Sequence, residues 1–413
     1  MAVSEQAEDF LARVAEYTGI GRAVEGGDVF DWVLGDGRTR MRGPALFDEL
    51  CWRMVGKGVR LWRATFSTPT LHPQFLGYSY RWWRERNITE EYHVRRGIME
   101  TQDYRGSPIR GVMERGEVVR HRLAHPEAAD AIAQYSVLRT LRDAGATDYL
   151  ATPLTSFNGR FQTTTWTTDQ AGGFTDENVA TIEHLMPALA AVADARVTQR
   201  IAGTLLDIYL GRSIGPRVLE GEIRRGYGER IRAVLMATDL RGFTALSDRL
   251  PGEELIELLD DYFEAVTQPV QAEGGEVLKF IGDGVLAIFA VGARSDIEAT
   301  GAALDAAQAS LQRLDALNRN RAAVSRAPLK VGIGMHLGEV FYGNVGATDR
   351  LDFTAIGPAV NLTSRLEGLT KRLDRPIIVS DDFARACDRP LASLGFHPVR
   401  GLSEPAEIFG LPS

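Results

Sequence analysis

Cysteine is nearly missing from this chain: Cys51 and Cys387 are the only two in 413 residues. They form no disulfide framework, which points to a reducing compartment. No apolar run approaches the ~20 residues that a membrane-spanning helix needs. The first ten residues, MAVSEQAEDF, are acidic and polar, unlike a signal peptide. These absences lead to the expectation of a cytoplasmic protein with no membrane span. Excess positive charge is also lacking, with 47 Lys and Arg against 55 Asp and Glu and a net charge of −8. Bulk attraction to nucleic acid or anionic lipid is thereby excluded. Histidine is sparse, and His72, His93, His121 and His125 show no metal-ligating spacing, so haem or a resident metal is not expected in that half. Tryptophan disappears after Trp166, although six precede residue 170. A chain of this length exceeds one compact core, and the break in composition marks two separately built modules. What remains, 44% hydrophobic and 25% charged residues, is the composition of a globular protein.

The first module opens with a short helical pattern over residues 1–40, interrupted by glycine-rich turns. Leu46, Leu50, Met54 and Val55 fall near helical spacing, and Leu61–Phe66 alternates like a strand. Leu71–Trp83 is dense in aromatics, equally suited to a core strand, a ligand-pocket wall or a dimer surface. A helix around Ala128–Ala144, strands at Asp148–Leu154 and Arg160–Thr168, and a helix capped by Thr175 complete the order. This order, with GFTDEN opening the terminal helix, resembles a GAF-type sensor domain over about Ala45–Arg196. The resemblance implies an unidentified small-molecule or protein signal. Apolar residues from Ile182 through Leu185, Leu189, Val192, Val197, Ile201 and Leu205 to Ile208 step at helical spacing with one phase slip. Such a stripe suits pairing with a second copy, and Pro187 is expected to kink or interrupt it. Thr204–Gly226 reads as helix, glycine break and helix, a connector.

The second module is more regular. A strand ends at Asp239, and LRGFTALSDRL turns through Gly242 into a helix. Pro251 opens another helix, and Leu278–Phe289 reads as a hairpin with Gly282-Asp283-Gly284 at its tip. A long helix from Ser295, a strand and turn, the strand LDFTAIG and a helix started by Pro358 follow. Strands are expected at Pro376–Ser380, Gly395–Arg400 and Glu404–Leu411. The core order βαββαβ is that of a ferredoxin-like or palm-like α+β fold. In such a sheet Asp239 and Asp283 converge, and their repulsion calls for a cation. Paired carboxylates suit Mg²⁺ or Mn²⁺, which take further oxygens from substrate phosphates.

Three stretches, TDLRGFTALS around Asp239, KFIGDGVLA around Asp283 and AIGPAVNLTSRLE around Asn361, resemble the signatures of class III nucleotidyl cyclases in order and spacing. The resemblance implies that Asp239, Asp283 and the Leu240 carbonyl hold two Mg²⁺ or Mn²⁺ ions. It implies that Gly242, Phe243 and Thr244 cradle phosphates on backbone N–H groups. It makes Asn361 the ribose-orienting residue and Arg365 the stabiliser of the reacting α-phosphate, with Arg400 at the β,γ-phosphates. Lys279 and Thr354 fall at the base-reading positions. Lysine donates to adenine N1 but cannot accept from guanine, which favours ATP over GTP. Pro358 departs from the Asp that many relatives carry there, with little effect expected. The expected layout is a GAF-like α/β sensor domain at 1–195, a helical connector at 196–228 and a cyclase domain at 229–413. The expected function is an adenylate cyclase making 3′,5′-cyclic AMP and pyrophosphate as a homodimer. The alternatives are a guanylate cyclase, or a silent cyclase-like module that binds nucleotide or mediates dimerisation.

Overall fold

The computed structural model describes residues 11–40, 42–156, 159, 161–211 and 214–412. The chain divides between Leu205 and Leu206 into two compact units.

The N-terminal unit is built on a seven-stranded sheet in which every neighbouring pair is antiparallel. Its strands are β1 (Leu11–Thr18), β2 (Arg63–Pro69), β3 (Phe75–Trp83), β4 (Ile88–Arg95), β5 (Val119–His121), β6 (Asp148–Thr155) and β7 (Phe161–Thr168). They lie in the order β1-β4-β3-β2-β7-β6-β5. Helix α1 (Gly43–Gly56) and the first half of α4 (Asp176–Leu210) cover one face, where Phe47, Phe66, Trp82 and Trp166 join one core with Ile182 and Leu189. Asp48 is buried in that core, and its carboxylate accepts from the Trp82 indole at 3.1 Å and the Ile20 N–H at 3.0 Å. Between β5 and β6 run α2 (Ala129–Gln134) and α3 (Ser136–Asp143), broken at Tyr135 rather than forming the one helix expected.

Two local expectations fail here. Residues 11–18 are a strand and not part of a helical pattern, because pairing with β4 supplies the backbone bonds that weak local propensity leaves open. Residues 1–10 lie outside the described residues, as does Arg160. Helix α4 runs through Pro187 without interruption. Proline removes one donor, and both Pro187 and Glu183, whose carbonyl loses that bond, are exposed, so water can take the bond's place. Thr175 caps the helix as expected: its hydroxyl accepts from Asn178 N–H at 3.1 Å, and Asn178 reaches back to Thr175 N–H at 3.3 Å.

The C-terminal unit takes in the end of α4 from Leu206, and α5 (Ile214–Leu219) follows after Gly211 at φ +95°, with residues 212–213 of the expected connector outside the described set. Its sheet contains β8 (Gly228–Leu240), β9 (Glu276–Ile281), β10 (Gly284–Ala290) and β11 (Val331–Gly346), ordered β11-β8-β10-β9 and antiparallel throughout. This is the ferredoxin-like arrangement. Helix α6 (Phe243–Ser247) follows β8, and α7 (Gly252–Ala272) and α8 (Asp296–Ala323) are the two crossovers. Strand β12 (Leu351–Ile356) pairs with the far half of β11, and α9 (Pro358–Leu373) begins on Pro358. Strand β13 (Ile377–Ser380) lies parallel to β11, and β14 (Ala392–His397) and β15 (Ala406–Gly410) extend the sheet. Strand β14 ends at His397, so Arg400 stands in the turn after it and not on the expected strand Gly395–Arg400.

Alternation along β8 divides the unit. Val234, Met236 and Leu240 pack with Leu258, Val266 and Leu304 of α7 and α8, whereas Ala233 and Leu235 face the other way. On the helix-facing side Thr238 and Tyr262 share a hydroxyl–hydroxyl bond of 2.7 Å, both side chains being buried. Replacing Tyr262 by Phe should lower stability in urea unfolding, followed by circular dichroism, by about 1–3 kcal/mol, because Thr238 loses its partner. The double variant Tyr262→Phe, Thr238→Val should recover part of that loss; a purely additive double variant would show that the bond is not what is being measured.

Candidate active site

Asp239 stands one residue from the end of β8, on the face turned away from α7 and α8. In the ladder it lies opposite Gly332 of β11. On its other side Thr238 pairs with Val285, which sets Gly284 and the tip of the β9–β10 hairpin beside it. The tip is a two-residue loop, Gly282-Asp283, closed by the Ile281–Gly284 pair. Gly282 has φ +62°, the left-handed first position that type II′ hairpins assign to glycine. A Cβ on Gly284 would stand 2.8 Å from the Thr238 carbonyl, so glycine is what lets the hairpin approach β8 so closely. The result is that Asp283 meets Asp239. Burial first, then the Asp283 charge and a hydrogen bond between the two, push the Asp239 carboxyl up to about 6.

A third acid joins them that the sequence reading did not single out. Helix α9 packs on β11 over Gly332 and Gly334; a Cβ on Gly334 would fall 2.3 Å from the Glu367 backbone nitrogen. That contact lays the Glu367 carboxylate over Gly332, with Oε1 2.9 Å from where a Cβ there would stand, across the ladder from Asp239. Glu367 is pushed up to about 7, by burial and then by Asp239, with Arg241 opposing and Asp283 adding a smaller push. Arg241 fixes the helix end, donating to the carbonyls of Thr370 and Arg375 at 2.9 Å each. Glu367 lay inside the quoted motif SRLE, but only the tight helix–strand contact reveals its neighbours.

Two convergent carboxylates fit a hard divalent cation. Among the described residues no three His, Cys, Asp or Glu side chains form a metal-ligating group. Remaining ligands would therefore be backbone oxygen, water or substrate phosphate, as Mg²⁺ commonly accepts. The Leu240 carbonyl follows Asp239 directly, with the Leu240 side chain anchored in the core. Gly242, at φ +78°, then turns the chain into the five-residue helix α6. Ala245 and Leu246 donate to the Gly242 carbonyl at 3.1 and 3.2 Å, while Phe243 packs on the core and Thr244 is exposed.

The expected base-reading residues also come together, with a partner not anticipated. Lys279 on β9 donates to the Asp352 carboxylate on β12 at 2.5 Å. Asp352 precedes Thr354 by two residues and so shares its face of the strand. Thr354 is 6% exposed, and among the described residues its hydroxyl has no hydrogen-bond partner. The alternation of LDFTAI was a signal for Asp352, but which strand it faces depends on tertiary pairing. Asn361 is exposed on the second turn of α9, and Arg365 lies one turn further, half-buried. The Arg365 guanidinium is 2.8 Å from where a Cβ on Gly401 would stand, which brings it near the turn bearing exposed Arg400. Among the described residues no hydrogen bond or ion pair joins Asn361, Arg365 or Arg400 to the Asp239–Asp283 pair.

A family model described as the adenylate and guanylate cyclase catalytic domain matches residues 229–394. The chain is 35% identical over 181 residues to an adenylate cyclase of Anabaena cylindrica, a match covering 43% of this chain and 35% of that protein. It is 31% identical over 185 residues to adenylate cyclase 1 of Rhizobium meliloti, covering 44% of this chain and 27% of that protein. The chain thus spans about a third or less of the length of these curated relatives. Among solved structures, the adenylyl cyclase CyaB from P. aeruginosa is 28% identical, with a TM-score of 0.42, covering 45% of this chain and 96% of that one. Residues 229–394 are a class III adenylyl/guanylyl cyclase catalytic domain.

Proposed function

We propose that the chain is an adenylate cyclase that converts ATP to 3′,5′-cyclic AMP and pyrophosphate at a site shared by two copies. The observation that carries the cyclase reading is the convergence of Asp239 and Asp283, which makes a binding point for a divalent cation of the kind class III cyclases use. Two Mg²⁺ or Mn²⁺ ions, when bound to Asp239, Asp283 and the Leu240 carbonyl, would activate the ribose 3′-hydroxyl and neutralise the triphosphate. The 3′-hydroxyl gives its proton to solvent water, its oxygen bonds to the α-phosphorus as the bond to the bridging oxygen breaks, and pyrophosphate leaves with that electron pair. Arg365 stabilises the charge that builds on the α-phosphate, Asn361 orients the ribose, and Arg400 takes the departing phosphates. Backbone groups of Gly242, Phe243 and Thr244 line the phosphate side.

Adenine selection rests on Lys279 and Thr354, a donor and a buried, unpartnered hydroxyl. Asp352 holds Lys279 in place. A second reading has a specific observation behind it: the Asp352 carboxylate, 2.5 Å from Lys279, is an acceptor of the kind guanine N1–H and N2–H require. Pairing of two copies is supported by Phe280, Ile281 and Ile356, large apolar side chains 53%, 59% and 44% exposed on the same strands as Lys279 and Thr354. The N-terminal unit is proposed as a GAF-like sensor acting through a connector near 196–228, with 1–195 and 229–413 as the flanking domains.

Cyclic nucleotide formation by the purified chain, with ATP or GTP and with Mg²⁺ or Mn²⁺, tests the reading directly. Cyclic AMP should dominate; cyclic GMP as the main product would overturn the adenylate assignment. Asp352→Asn should raise KM for ATP several-fold while kcat stays within about twofold, the pattern of a positioning residue. A loss confined to GTP turnover would favour the second reading instead.

The acid cluster also makes a stability prediction. Glu367, at about 7 in the folded chain, binds its proton more tightly there than when unfolded, near 4.5. Its contribution is therefore full at acid pH and is lost as pH rises from about 4.5 through 7. Thermal midpoints of metal-free protein should fall more between pH 5 and pH 8 for wild type than for Glu367→Gln, and Mn²⁺ should recover more stability at the higher pH. Parallel pH profiles for the two proteins would contradict this electrostatic account.

A further inference from the structure

Arg241 stands between the Leu240 carbonyl and the Gly242 turn, and both its backbone and its side chain are tied to other elements. Its N–H donates to the Lys330 carbonyl at 2.8 Å, one step beyond the Leu240–Val331 pair of the β8–β11 ladder. Across a trans peptide the C=O and the following N–H point in opposite directions. With the Arg241 N–H turned to β11, the Leu240 carbonyl is turned to the β10 side of β8. The β8–β10 ladder stops at the Thr238–Val285 pair, and beyond it on that side comes the Gly282-Asp283 tip. The direction of this carbonyl is therefore a property of the Leu240–Arg241 peptide, and holding the peptide holds the carbonyl.

The half-buried side chain of Arg241 reaches the end of α9 and the loop after it. Its Nη2 donates to the Thr370 and Arg375 carbonyls at 2.9 Å each, and its Nη1 donates to the Asp374 carboxylate at 3.5 Å. The Thr370 carbonyl is one of the last of the helix, and it also accepts the Arg375 N–H at 3.1 Å. Asp374, at φ +49°, closes α9 in the left-handed conformation and donates its own N–H to the same carbonyl. Donors aimed at several acceptors at once suit a planar guanidinium; a lysine ammonium has no such fork. The Arg241 charge also acts against the rise of the Glu367 carboxyl, which places the guanidinium close to the acid cluster. The Leu240–Arg241 peptide is thus clamped to β11 by its backbone and to α9 by its side chain.

We propose that Arg241 is a positioning residue for the divalent-cation site: by clamping this peptide it keeps the Leu240 carbonyl turned toward Asp283, and so sets how tightly the site holds its cation. The inference rests on the reading of Asp239, Asp283 and the Leu240 carbonyl as the cation's ligands. Arg241 itself touches neither cation nor substrate. Its geometry and its charge pull in opposite directions, since a fixed carbonyl strengthens cation binding and a nearby positive charge weakens it. That opposition lets the two roles be told apart.

Binding of Mn²⁺ to the full chain, followed by loss of the free-ion signal in electron paramagnetic resonance, needs no turnover. Arg241→Lys keeps the charge and loses the fork, and Arg241→Met loses both. Each should weaken Mn²⁺ binding about tenfold, the scale on which residues behind the ligands act. Arg241→Lys, the milder change, carries the test if Arg241→Met does not fold. A role through charge alone would make Arg241→Met bind more tightly and leave Arg241→Lys at the wild-type affinity. That pattern overturns the proposal, as does wild-type affinity in both variants. Arg232→Met is the control for lost stability, because Arg232 makes a two-pronged tie to Asp296, at 2.9 and 2.8 Å, toward the other end of β8. It should keep the wild-type affinity, and an equal loss there overturns the positioning role. Absence of Mn²⁺ binding in wild type overturns the cation assignment and this proposal with it, whereas the other contrary outcomes leave the cyclase reading standing.

Discussion

Repulsion between Asp239 and Asp283 is the constraint on which the C-terminal unit depends. Folding brings the two carboxylates into contact, with Glu367 across the ladder, at an electrostatic cost visible in the raised proton affinity of Asp239 and Glu367. Nothing in stability alone rewards such a cluster, since a hydrophobic or neutral trio would fold more readily. The surrounding sheet is arranged to enforce it. Glycine at 284 admits the hairpin, glycines at 332 and 334 admit α9, and Arg241 ties the end of that helix beside the cluster. On the proposed cyclase reading, a divalent cation would turn the same geometry from a liability into a binding site.

The proposed base side is built by the same logic in the opposite sign. Lys279 leans on Asp352, on the strand of the Thr354 hydroxyl, which has no partner among the described residues. Exposed Phe280, Ile281 and Ile356 border it. The proposed metal side and the proposed base side share one hairpin, Lys279 on its rising strand and Asp283 at its tip. On the proposed dimer reading, each copy then supplies its acids to one cleft and its Lys279, Thr354, Asn361 and Arg365 to the other.

Much of this was legible because the signals are local. A Gly-Asp-Gly tip between two apolar runs dictates a hairpin, Pro358 at the first helical position dictates a helix start, and both stand where the sequence put them. The βαββαβ order followed from such local cues, and the three motifs fixed the acids. What escaped depends on pairing between distant residues. Strand β1 is held by β4, about seventy residues on, and its own pattern reads otherwise. Helix α4 survives Pro187 because the freed carbonyl belongs to an exposed residue, a fact of burial and not of sequence. Asp352 and Glu367 were in plain view within recognised stretches, yet their roles arise from which strand faces β9 and how closely α9 meets β11.

The central claim, one cleft assembled from two chains around the paired acids, is tested most directly by mixing two inactive variants. Asp239→Ala and Asn361→Ala homodimers each carry a lesion in both clefts. A mixed dimer carries both lesions in one cleft and none in the other. With random exchange half the dimers are mixed, so about a quarter of wild-type cyclic nucleotide formation should return. Mixtures shown by tagged pull-down to have exchanged subunits, yet still inactive, would contradict the shared cleft.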